Sequence, residues 1–117
     1  MSNVFLLQDM GVFELHVDAS NGPPVDEAVR EVLSQLPQGA ASMVDLRMVT
    51  VERVELARLA EVVSGRREDG VRVVAVVGSD EQAELVAESM DESWYGIARD
   101  PEQARAMLSN PALAAAS

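Results

Sequence analysis

The chain has 117 residues, 48% hydrophobic and 25% charged, the balance of one globular domain rather than two domains or a disordered segment. Twenty acids oppose nine bases, a net charge of −11, so nucleic-acid phosphates and anionic membrane surfaces are poor partners. There is no cysteine, which excludes disulfides and thiolate chemistry, and no apolar run nears the ~20 residues of a membrane span.

The opening stretch lacks a basic region and does not read as a secretory signal. Together with the missing cysteines this gives a cytoplasmic expectation. All nine bases are Arg, as a GC-rich genome or a halophile's acidic surface would both produce. Without Lys there is no Schiff-base chemistry and no Walker lysine.

Val4 to Leu7 is short and apolar, and Gly11 marks a turn. From Val12 to Asp18, Phe13, Leu15 and Val17 alternate with Glu14, His16 and Asp18, the period of a half-buried strand. The two segments read as an antiparallel hairpin. After the loop through Pro24, Val25, Ala28, Val29, Val32, Leu33 and Leu36 form a helical stripe that Pro37 and Gly39 end. Ser42 to Val49 is a strand, and Thr50 stands where it would cap a helix over 51–64. Gly65 is placed to terminate that helix, with Arg66 and Arg67 suiting its C-terminal dipole.

Val71 to Val77 is nearly continuous and β-branched, as a strand covered on both faces should be. Ser79 and Gln82 have capping-box spacing, opening a helix to about Met90 with Ala83, Val86, Ala87 and Met90 inward. Trp94 to Ala98 is a weak strand. Asp100, Pro101 and Gln103 start a last helix with Ala104, Met107 and Leu108 on its inner face. Asn110 and Pro111 stop it, and 112–117 is a tail. The order β-β-α-β-α-β-α-β-α predicts one α/β domain with a core over about 4–110: a mixed, mostly parallel five-stranded sheet and four helices.

Catalytic constellations are sparse. His16 is the sole histidine, and Glu14, His16 and Asp18 share a strand face. Side chains two apart on a strand lie ~7 Å apart, so the outer pair is too distant for one ion with ligands at about 2 Å. A solvated polar face is the expectation, and no metal or cofactor is assigned. Gly78 is a lone glycine before Ser79, and Asp80 and Glu81 would repel phosphate there. There is no GxSxG, so a serine triad lacks its nucleophile elbow. Asp45 and Arg47 share a face near the carboxyl end of the third strand, where ligands of open α/β sheets gather. Buried there, they would need partners.

The run Met43-Val44-Asp45-Leu46-Arg47-Met48-Val49-Thr50, the following helix, the strand from Gly70 to Val77, and the ending Tyr95 to Ala104 resemble a STAS domain. This is the sulfate-transporter and anti-sigma-factor-antagonist family, closest here to its STAS/Sec14-like bacterial members. The resemblance spans about residues 4–110 and implies a STAS-like sheet and a non-catalytic regulatory module that binds a protein partner. The family's regulatory D-x-S-G motif falls on Arg53, Glu55 and Leu56, so the phosphorylated serine is replaced by Glu55. A carboxylate carries about half the charge of a phosphate. The expected partner surface comprises Asp45, Arg47, Thr50, Glu52, Arg53 and Glu55. The alternative is a small-molecule or lipid-binding domain of Sec14-like type. Self-association through an edge strand is a further expectation.

Overall fold

The computed structural model describes residues 4–9, 11–17, 25–48, 52–88 and 94–109. The elements are β1 (Val4–Asp9), β2 (Val12–Val17), α1 (Val25–Leu33), β3 (Ala41–Asp45), α2 (Arg53–Arg67), β4 (Arg72–Val76), α3 (Asp80–Ala87), β5 (Gly96–Ala98) and α4 (Pro101–Ser109). Strands β2 to β5 run parallel in sequential order, and β1 pairs antiparallel with β2 at the edge. None of the described helices is long and apolar enough to cross a membrane.

Because each crossover steps the same way along the sheet, right-handed connections put α1, α2 and α3 on one face. The packing agrees. Leu15, Val44, Val73 and Ala75 of the strands meet Val29 and Leu33 of α1, Leu59 and Val63 of α2, and Val86 of α3. The alternate strand positions Val12, Met43, Val74 and Val76 meet Ala104, Met107 and Leu108 of α4 on the other face. This period-2 split explains why β4 is apolar from Val73 to Val76: it is covered on both sides there.

Element ends depart from the expected ones for local reasons. The helical pattern runs to Leu36, but α1 closes at Leu33. Its last turn tightens to i→i−3 bonds, Gln35 N to Val32 O (3.1 Å) and Leu36 N to Leu33 O (3.1 Å), and Leu36 stays buried. Strand β3 stops at Asp45 rather than Val49, because the Arg47 N–H donates to the Asp45 carboxylate at 3.0 Å and turns the chain. Ala87, expected inward on α3, is exposed. Met90 and the tail lie outside the described residues.

The expected caps of α3 and α4 are present. Ser79 Oγ accepts from Gln82 N at 3.2 Å, and Asp100 Oδ1 accepts from Gln103 N at 2.7 Å. Helix α2 begins two residues later than expected, with Glu52 in the extended N-cap conformation (φ −79°, ψ 161°).

Helix α2 also runs through Gly65 instead of ending there. The residue that breaks the direction is Gly70, at φ +75°, where an added Cβ would meet the Gly39 backbone at 3.5 Å. Gly65 is helical and faces open space. The two glycines therefore respond oppositely to alanine. Gly65→Ala stabilises the fold by about 0.5–1 kcal/mol. Gly70→Ala destabilises it by about 1–2 kcal/mol, because a side chain is forced into the left-handed region. Urea unfolding of the two variants measures both signs.

Candidate functional site

Residues 12, 14 and 16 of β2 point toward the α4 face, and in the parallel register His16 lies directly beside Asp45 of β3. That pairing builds a chain of charges across the sheet. Arg105 of α4 donates to Glu14 Oε2 at 2.8 Å, and His16 Nε2 lies 3.1 Å from Glu14 Oε1. His16 Nδ1 lies 3.0 Å from Asp45 Oδ2, and the Arg47 guanidinium grips both Asp45 oxygens at 3.0 and 2.9 Å. The His16 ring therefore bridges two carboxylates. A neutral ring has one N–H to offer, whereas the imidazolium donates to both.

The expectation of a solvated face at Glu14 and His16 is corrected by this arrangement. The Glu14 side chain is only 8% exposed and that of Asp45 only 4%. Helix α4 covers the face, and carboxylates taken from water need charged donors around them. Arg105 supplies one to Glu14 and Arg47 supplies one to Asp45. The sequence held half of this signal, since Glu14 and His16 alternate with apolar residues on one strand. It held nothing that joined Arg105 to Glu14, 91 residues away. Asp18, the third member of the expected face, lies outside the described residues.

Burial pushes the Asp45 carboxyl up. The Arg47 side-chain and backbone hydrogen bonds, the Arg47 charge and the His16 contact pull it further the other way, and it settles below the ordinary carboxylate value. The hydrogen bond to Asp45 in turn raises Arg47 above its usual value.

Of the remaining expected residues, Glu52, Arg53 and Glu55 stand together at the start of α2. Glu55 reaches back to the Glu52 N–H at 3.5 Å, a capping-box contact. Arg53 faces Glu88 at the end of α3 across 3.3 Å, with both side chains exposed. Such a pair contributes about 0–1 kcal/mol. Thr50 lies outside the described residues. Among the described residues, Asp45 and Arg47 pair with each other and with His16, whereas Glu52, Arg53 and Glu55 make their contacts at the start of α2, so these five fall into a strand-end network and a separate helix start. Leu46 O accepts from Gln82 Nε2 at 3.3 Å, and the Leu46 N–H donates to Val76 O at 2.8 Å, which anchors the carboxyl end of β3 to β4 and α3.

Sequence reasoning passed over two residues of this end. Met48 is 74% and Val54 60% exposed, the large apolar side chains most open to water among the described residues. They flank the segment between β3 and α2. Their exposure had no sequence signal, because both fit the apolar patterns of their elements. Neither a scan against protein-family models nor a search of curated proteins returns a match for this chain.

The Asp45 geometry has a pH signature. The folded carboxyl releases its proton more readily than the unfolded one, so its contribution is complete above the unfolded value of about 3.9 and is lost as pH falls through the lower folded value. Asp45→Asn lowers stability by about 3 kcal/mol at neutral pH, because it removes the negative charge facing Arg47 and replaces one of the two acceptor oxygens by an NH2 donor. The deficit relative to wild type shrinks as pH drops below about 4. Urea unfolding of both proteins across this range tests the sign.

Proposed function

We propose that this protein is a non-catalytic interaction module of the STAS type, which binds another protein through the end of the sheet carrying Arg47, Met48, Arg53 and Val54. The observation that carries the reading is the pair of exposed apolar side chains, Met48 and Val54, on either side of one loop. Single exposed apolar residues are ordinary on any surface. Two at one loop, with Arg47, Glu52 and Arg53 beside them, have the apolar centre and charged rim of an interface. The rigid footing of that loop supports the same reading, since Asp45 and Arg47 fix where it leaves the sheet.

The resemblance to anti-sigma-factor antagonists directs attention to this surface by position alone, because that family's regulatory motif would lie over Arg53, Glu55 and Leu56, and none of the three is the motif's residue. Glu55 in the serine position has no hydroxyl to phosphorylate, so the binding we propose is not switched there. The reading assigns no catalytic step and places the protein in the cytoplasm, in keeping with its lack of cysteine.

Pull-downs from a lysate of the organism of origin, read by mass spectrometry, test the proposal. The baits are wild type, Met48→Asp/Val54→Asp, Arg53→Glu/Glu55→Arg, and Arg67→Gln as a control at the far end of the sheet. One protein should be retained by wild type and control and lost from both surface variants. Retention by both surface variants overturns the surface. The absence of any partner for wild type overturns the module.

A further inference from the structure

At the opposite end of the sheet, where β4 begins and the chain approaches β5, lies an open pocket of about 290 Å³. Arg67 and Arg72 line it together with Trp94 and Tyr95, and Val71 and Val73 complete its walls. The chain carries twenty acids against nine bases, yet the described lining holds two arginines and no carboxylate. The surface charge of the chain therefore does not account for this pocket.

Arg72 is held in place rather than free to swing. Its Nη1 donates to Leu108 O at 3.3 Å, and its guanidinium lies 5.6 Å from the centre of the Tyr95 ring. Tyr95 is itself pinned by its backbone N–H, which donates to Val73 O at 2.8 Å. A guanidinium fixed by stacking keeps its remaining N–H groups in the fork that suits an oxyanion. Trp94, itself buried, forms part of the same lining.

We propose that this pocket binds a small organic oxyanion, with its phosphate or carboxylate on Arg72 and its apolar body against Trp94 and Tyr95. Arg67 adds its charge at the rim. The volume is at the small end of ligand sites, which suits a single-ring compound rather than a lipid chain. The proposal is independent of the partner surface, which lies at the other end of the strands.

Trp94 is the only tryptophan, so its fluorescence reports directly from the wall of the pocket. The probes are phenyl phosphate, benzoate and inorganic phosphate. Phenyl phosphate or benzoate should change the emission saturably at or below about 1 mM, the weaker range of specific binding. The stronger of the two identifies the head group, and inorganic phosphate, lacking the apolar body, should bind more weakly than either. Arg72→Gln should weaken binding at least tenfold, while Arg58→Gln, on the exposed side of α2, leaves it unchanged. Should Arg72→Gln fail to fold, Arg67→Gln, exposed at the rim, should still weaken it about threefold and steepen none of its salt dependence, since one charge fewer is screened. No saturable change with any probe up to about 10 mM overturns the site, as does unaltered affinity in the folded arginine variants.

Discussion

A carboxylate buried at the end of a strand has to be met by donors from several directions, and the way Asp45 is met shapes this protein. Its Oδ1 takes the backbone N–H and Nε of Arg47, and its Oδ2 takes Nη2 of Arg47 and lies beside His16. The first contact ends β3. The second ties β3 to β2. Through His16 and Glu14 the chain of charges reaches Arg105, so the docking of α4 is coupled to the same group. A hydrophobic seam of Met43, Val74 and Met107 provides the bulk of that docking, but it is not directional. The charged chain supplies direction.

The two faces of the sheet divide the work. The face under α1, α2 and α3 is apolar and holds most of the core. The face under α4 is apolar over β4 and β5 and polar over β2 and the end of β3. The polar chain runs from Arg105 of α4 through Glu14, His16 and Asp45 to the exposed Arg47. The ends of the strands differ as well. The carboxyl end presents the exposed side chains of Met48 and, in the first turn of α2, Val54, and the amino end presents Arg67, Arg72, Trp94 and Tyr95 around a pocket. The two ends thus differ in their surface chemistry.

Much of the α/β order was legible before any coordinates. The alternation in Val12 to Val17, the run from Val71 to Val77 and the caps at Ser79 and Asp100 each carry local physics, and each lies where that physics puts it. The ends that moved did so for reasons with no local signature. Gly65 looks like a helix terminator by position, yet α2 continues to Arg67 because Leu59, Val62 and Val63 keep packing against the sheet. Strand β3 is shorter than its apolar pattern because a side chain two residues back takes the N–H that would have continued the ladder. The candidate site was legible in part. Asp45 and Arg47 stood out as charges that would need partners, but their separation from Glu52, Arg53 and Glu55 was not visible.

Local pattern by itself determined the element types, their order and the need for partners at Asp45, because periodicity, capping and the cost of burying charge act over a few residues. Tertiary structure alone decided who those partners are. The parallel register set His16 beside Asp45, and the return of α4 over the sheet brought Arg105 to Glu14. It also left Met48 and Val54 in water and gathered Arg72, Trp94 and Tyr95 around one pocket. Contacts between residues tens of positions apart depend on which faces meet, and that is settled only when the whole sheet is assembled.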